Sequence, residues 1–329
     1  MLASNTSPVL PCRSIQSELD LFEVELFDCL NIKQNNIRNI ILPTIKSGGK
    51  RIRPALVFLS AYSTGSHPEK HQRYAVVVEL IHTASLFHDD VIDEAKHRRG
   101  NKSVNQTFGN QLAVLAGDYL YSKAIDLMSA ESLAIRNSLN KTVLTMTEGE
   151  IVQSANRHNV KATPDLYMRV IEKKTAILME LSCCLGASAH DQPKYVEALK
   201  DYGKNLGIAY QLLDDLLDWY AEEKKLGKDN FQDLKEGRVT LPAILLLKNL
   251  KGRDKQKFTD LIEADSLEMT IDMQKYYRQL LIDFRIDSKI RRMANQFSQK
   301  AIESIKNLPK TDALEELKSI PQFLMNRIG

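Results

Sequence analysis

The 329-residue sequence predicts an all-α protein built as a single large helical bundle. Three observations carry that prediction. The chain has only 14 Gly and 10 Pro, about 7% against roughly 12% in average proteins, too few turn residues for an array of short strands. Apolar residues recur at three-to-four spacing through nearly every segment. An Asp-Asp-x-x-Asp block occurs twice, at Asp89 and at Asp214, 125 residues apart. No linker of shifted composition separates the copies, as befits one bundle with two equivalent acidic walls.

The first 14 residues, MLASNTSPVLPCRS, lack a basic stretch followed by an apolar one. They are read as a flexible terminus, with 15–329 as the helical domain. From Ile15 to Lys46, a stripe of Leu19, Phe22, Leu26, Leu30 and Ile37 marks helix. Gly48-Gly49 interrupts it, and Pro54 suits the first turn of the next helix. Helical patterns then cover 54–64, 68–93, 106–129, 131–156, 165–189, 194–221 and 239–249. Breaks fall near Gly65, Gly100, Asp191-Gln192-Pro193 and Gly227, and further helices fill the remainder.

Composition excludes several functions. Lys and Arg number 45 against 42 Asp and Glu, so a net charge of +3 offers no one-sided basic field for nucleic acid. A hydrophobic share of 43% is ample for a core. No apolar run reaches the length of a membrane span; the stretch from Tyr74 to Phe87 is interrupted by Glu79 and His82. Cysteines at 12, 29, 183 and 184 form no CxxC and no metal spacing, which indicates reduced, buried thiols. A soluble, cytoplasmic protein is expected.

The acidic blocks read LIHTASLFHDDVIDEAKHRRG, with Asp89, Asp90 and Asp93, and YQLLDDLLDW, with Asp214, Asp215 and Asp218. In each, the first and last Asp are i and i+4 and share a helix face. Like charges at that spacing destabilise a helix, and both blocks lie among Leu, Ile, Val and Phe rather than on a polar face. Divalent cations remove the repulsion, and Mg²⁺ takes one or two carboxylates and completes its shell with waters and substrate phosphates. A di-iron bundle would need Glu-x-x-His twice. Glu79-Leu-Ile-His82 supplies it once.

Cations accompany the acids. SGGKRIRP places Lys50, Arg51 and Arg53 after a flexible Gly pair at a helix start, where free N–H groups favour an anion. Arg98-Arg99 follow Asp93 by five residues. Arg suits bidentate phosphate contacts and Lys a point-charge contact. The clusters are short and carry no interleaved aromatics, so nucleic acid remains a poor fit. Two phosphorylated ligands are inferred, one bridged by Mg²⁺ and one held by cations directly.

With these segments the sequence resembles the trans-isoprenyl diphosphate synthases of the long-chain polyprenyl type. The resembling stretches are GGKRIRP (48–54), LIHTASLFHDDVIDEAKHRRG (80–100), FGNQLAVLAGDYLYSKA (108–124), GEIVQ (149–153), Lys174-Thr175, YQLLDDLLD (210–218) and GKDNFQDLKEGRVTLP (227–242). They span about three fifths of the chain, in a specific order. The resemblance implies helices around a deep central cavity, a homodimer, and two or three Mg²⁺ ions. By it, Asp89, Asp93 and Asp214 are the principal metal ligands, with Asp90, Asp215 and Asp218 close by. Arg98, Lys174, Thr175, Gln211 and Lys228 would hold the allylic diphosphate. Lys50, Arg53, His82 and Arg99 would hold isopentenyl diphosphate. Two positions depart from the family pattern: Phe231 stands where Gly is usual, which bears on the shape of a closing 227–238 lid, and Arg238 stands where Lys is usual.

The chemistry implied is head-to-tail prenyl transfer. Mg²⁺ and cationic side chains neutralise the departing pyrophosphate, so the allylic C–O bond ionises, the isopentenyl double bond attacks the allylic cation, and loss of a proton beside the released pyrophosphate leaves an allylic diphosphate one isoprene unit longer. The product would grow along the helix of the first block. Ala84 and Ser85, one turn before Asp89, are small where short-product enzymes resemble one another in a bulky aromatic, and Ile81, Val77 and Val78 follow. Twelve residues from Val77 to Asp89 span about 18 Å. That predicts a product longer than C20, passed afterwards to a membrane. Alternatives are a C15 or C20 synthase, or the catalytic subunit of a heteromeric synthase. A terpene cyclase fits less well, because the second block lacks the Asn/Asp–Ser/Thr–Glu motif.

Overall fold

A computed structural model describes residues 12–30, 32, 34–65, 71–98, 100–188, 192–220, 230–264 and 269–326. Among them the regular structure is helical except for one two-stranded hairpin, His97–Arg98 with Asn101–Lys102. The helices used below are α1 (Gln16–Cys29), α2 (Asn35–Lys46), α3 (Ile52–Ser63), α4 (His71–Ile92), α5 (Val104–Phe108), α6 (Asn110–Leu127), α7 (Leu133–Ser154), α8 (Pro164–Ile171), α9 (Ile177–Ala187) and α10 (Pro193–Tyr220). Later helices are Gln232–Lys235, Leu241–Asn249, Gly252–Glu263, Ile271–Asp283, Ile286–Ser304 and Asp312–Met325. The chain forms two compact units: 1–139, 179–203 and 302–323 make the first, and 140–178, 204–301 and 324–329 the second.

In the first unit α4 is the core element. Val77, Leu80, Ile81, Ala84 and Phe87 are all buried on it, and a helix apolar on every side belongs in the interior. Each such Leu, Ile or Phe contributes about 1.5–3 kcal/mol of burial. α4 packs most extensively on α6, then on α3 and α1. Close approach needs glycine: a Cβ at Gly117 of α6 would lie 2.4 Å from His88 Nε2, and one at Gly186 of α9 would lie 2.2 Å from the Val57 carbonyl of α3.

In the second unit α8 begins with Thr163 capping Leu166 N–H at 3.2 Å and Pro164 in its first turn. The sequence predicts unbroken helix over 165–189. The structure instead inserts a π-turn, Glu172–Ala176, between α8 and α9. Such turns hold one residue more than an α-turn and recur at functional sites. Gly207 of α10 presses against it, since a Cβ there would fall 2.5 Å from Ala176 Cα. The aromatic core joins Trp219 to Phe231 at 4.7 Å and Phe258 to Tyr277 at 4.8 Å between ring centroids.

Other boundaries also differ from the sequence pattern. Gly109, at φ +87°, separates α5 from α6, where one helix was expected from residue 106. Helix α4 ends at Ile92, one residue before Asp93, as Glu94 turns to φ +50°.

Candidate active site

The first acidic block closes α4. Asp89 and Asp93 are half-buried, and Asp93 N–H donates to the Asp89 carbonyl at 2.8 Å, so both carboxylates stay one turn apart. Asp90 is buried and turned to the hairpin, where Arg98 Nε donates to its Oδ1 at 2.8 Å and Nη2 adds a second contact. Four acids, Asp89 to Glu94, thus crowd the C-terminal end of a helix, where the macrodipole already disfavours negative charge. Hard oxygen donors set against that field suit a divalent cation.

One turn below, Ala84 is fully buried and Ser85 is half-buried, its hydroxyl donating to the His82 carbonyl at 2.8 Å, and Ile81, a further turn down, is buried. His82 itself is half-buried, as are Lys50 and Arg53. Arg51, grouped by sequence with the anion-binding cations, is committed elsewhere. Its guanidinium pairs with Glu23 and Glu79 and is only 10% exposed. That withdraws Arg51 from the three cations read as anion ligands in the basic segment. Arg99 lies outside the described residues.

The second block sits on α10, with Asp215 buried and Asp214 and Asp218 half-buried. A chain of hydrogen bonds fixes it. Thr175 Oγ1 donates to Gln211 Oε1 at 2.8 Å, Gln211 Nε2 donates to Asp215 Oδ1 at 2.6 Å, and Tyr167 hydroxyl donates to Asp215 Oδ2 at 2.6 Å. The π-turn is what presents Thr175 to this chain. It also carries Lys174, whose Nζ bonds Gln153 at 2.8 Å and pairs with Glu150. Asp218 accepts N–H groups of Gln232 and Asp233 at 3.0 and 3.2 Å, capping the short helix that follows. Arg238 pairs with Asp233 and Glu236. Lys228 lies outside the described residues.

Burial first, and the neighbouring Asp233 carboxylate second, hold the carboxyls of Asp215 and Asp218 well above the ordinary range. Acids that repel one another in a dry site are the environment that a cation reverses, because its charge favours the ionised form. Both blocks therefore fit Mg²⁺ by donor chemistry.

The sequence missed Tyr167, Gln153 and Glu150. Glu150 and Gln153 lie in the GEIVQ stretch but are given no role there, Tyr167 carries no motif, and the role of each shows only through a partner distant in the chain. Phe231, at the position where Gly is usual in resembling proteins, takes φ +58°, a left-handed conformation that glycine adopts freely. It is fully buried against Trp219, with the Arg278 guanidinium 5.5 Å from its ring.

The sequence profile of the polyprenyl synthetase family matches residues 34–280. The chain belongs to that family. The chain is 36% identical over 289 residues to the octaprenyl diphosphate synthase of Escherichia coli K12, covering 86% of this chain and 87% of the relative. Its fold is similar to that of a Caulobacter crescentus CB15 polyprenyl synthase complexed with calcium and isoprenyl diphosphate. That match has a TM-score of 0.90 and 30% identity, over 96% of this chain and 97% of the other. It is likewise similar to a geranylgeranyl pyrophosphate synthetase of Pyrococcus horikoshii Ot3, with a TM-score of 0.87 and 30% identity over 95% and 97%. The protein is a prenyltransferase with the all-α isoprenoid synthase fold. No helix among the described residues is long and apolar enough to cross a membrane.

Proposed function

We propose that this chain is a Mg²⁺-dependent synthase that condenses isopentenyl diphosphate head-to-tail with an allylic diphosphate, giving an all-trans product longer than C20. The observation that carries the chemistry is the acidic pair of blocks, each built on a helix and stiffened by its own hydrogen bonds. Asp89, Asp93 and Asp214 are the proposed ligands of two or three Mg²⁺ ions. Asp90, Asp215 and Asp218 lie beside them, tied to Arg98, to Tyr167 and Gln211, and to a helix start. When bound, the ions supply charge neutralisation to the diphosphate leaving group.

The side chains do the rest. Arg98, Lys174 and Thr175, with Gln211 and Lys228, orient the allylic diphosphate. Lys50, Arg53, His82 and Arg99 hold isopentenyl diphosphate with its double bond toward the allylic carbon. The apolar face of α4 excludes water that would trap the cation. Length is argued from Ala84, Ser85 and Ile81, which place no aromatic ring one or two turns below Asp89. The octaprenyl relative supports a long product, while the geranylgeranyl neighbour shows that the fold alone does not decide it.

A second copy of the chain is the proposed partner. Leu112 and Leu115 on α6 are 42% and 60% exposed, and Leu133, Leu144 and Ile151 recur on one face of α7 at over 60% exposed. Exposed apolar faces of this kind mark protein interfaces.

The test is product chromatography of the purified chain with Mg²⁺, isopentenyl diphosphate and C5, C10, C15 or C20 primers. Products beyond C20 are expected. Termination at C15 or C20 with excess isopentenyl diphosphate would refute the length, and condensation only after adding a second protein would favour the heteromeric alternative.

A further inference from the structure

Arg51 starts α3 with a left-handed backbone, φ +47°, which is unfavourable for a residue with a side chain. Its guanidinium is used on every edge. Nε and Nη2 meet Glu23 at 2.7 and 3.1 Å, Nη1 donates to Glu79, and Nη2 also reaches the Ile45 carbonyl at 3.2 Å. The Phe22 ring lies 5.8 Å from its centre. One side chain therefore ties α1, the end of α2, the start of α3 and α4 together, all within the first unit.

What surrounds this tie is informative. Lys50 precedes Arg51 by one residue and Arg53 follows by two. His82 lies three residues after Glu79, on the same side of α4. These three are the groups assigned above to isopentenyl diphosphate. The 48–51 segment and the start of α3, which bear two of them, are held to the helix that bears the third through the Arg51–Glu79 pair. A buried ion pair is seldom the better choice for stability alone, since apolar groups of similar volume often serve as well. What a guanidinium fork adds is fixed geometry, which a lysine does not reproduce.

We propose that Arg51 is a positioning residue, which through Glu23 and Glu79 sets where Lys50, Arg53 and His82 meet isopentenyl diphosphate without touching the substrate itself. The inference rests on the function proposed above and deepens it.

Steady-state kinetics of the full-length chain test it, on Arg51→Lys, Glu79→Gln and the double variant Arg51→Met/Glu79→Met. The double variant removes both buried charges, so neither is left uncompensated. The KM for isopentenyl diphosphate is expected to rise tenfold or more in each, while the KM for the allylic primer stays within about twofold and kcat falls less than the KM rises. Thermal melts identify the folded variants. An unchanged isopentenyl diphosphate KM in a folded variant overturns the proposal. So does a parallel loss of kcat with both KM values intact, or unfolding of all three variants, since either marks a purely structural role. If the wild-type chain performs no condensation, the functional reading falls and this inference with it.

Discussion

The imidazole of His88 fills the space above Gly117, so that a Cβ at residue 117 would lie 2.4 Å from Nε2 and 2.6 Å from Cδ2. The same nitrogen approaches the Val114 carbonyl at 3.2 Å and Asp118 at 3.3 Å. His88 adjoins Asp89, so this contact sets the depth at which the first acidic block rests on α6. Gly117→Ala must push the ring or the helix aside, at about 1–3 kcal/mol of overpacking. A lower melting temperature and at least a tenfold loss of kcat are expected; wild-type values for both would remove His88 as a spacer.

Tyr167→Phe deletes one of the two donors that the described residues offer to the buried Asp215 carboxylate. Leaving an acceptor unsatisfied costs about 1–3 kcal/mol, and about 1.4 kcal/mol is a factor of ten in rate. A ten- to hundredfold fall in kcat/KM is expected, with a higher Mg²⁺ concentration for half-maximal rate. Titrating Mg²⁺ against initial rate checks it.

Phe231→Gly sets two effects against each other. Relief of the left-handed backbone at φ +58° is worth about 1–2 kcal/mol. Emptying a fully buried phenylalanine site costs about 3–5 kcal/mol. Packing wins, so a lower melting temperature is expected, and a higher one would show that the stack on Trp219 is loose.

Burial pushes the Cys12 and Cys183 thiols up to about 12, and those of Cys29 and Cys184 to about 11. At pH 8 a thiol with such a value is about 0.1% thiolate or less, and thiolate is the reactive form. An aromatic disulfide reagent should therefore label the native chain very slowly and all four thiols quickly in denaturant. Rapid native labelling of any of them contradicts the burial.

Ser85→Phe is the preferred probe of product length. Ala84 is fully buried, so a phenyl ring there overpacks the core, whereas Ser85 is half-buried and gives up only a bond to the His82 carbonyl. Its longest product should be several isoprene units shorter than that of the parent. Identical product distributions would place the growing chain elsewhere.

Much of this was legible in the residue order, and the reason is local. Helix breaks at Gly48-Gly49 and Gly65 are written in neighbouring residues, and the i,i+4 acids need only helical geometry to share a face. What escaped is set by chain-distant partners or by backbone. Arg51 looked like a phosphate ligand because its acids lie 28 residues away on either side. Tyr167 meets Asp215 across 48 residues. The Phe231 departure was visible as a substitution, but its conformation and its place in the Trp219 stack were not. The π-turn at 172–176 has no residue signature, since Glu-Lys-Lys-Thr-Ala suits an α-helix equally well.

That π-turn makes length itself a constraint. Exchanging a side chain in Glu172–Ala176 alters one group and leaves its neighbours in register. Removing one residue would let the segment relax into ordinary helix with its flanks still in register, because the π-turn already holds the extra residue. What would be lost is the widened turn that presents Lys174 to Gln153 and Thr175 to Gln211. Variation among descendants of this sequence should accordingly confine substitutions here to Glu172 and Lys173 and be poor in insertions and deletions.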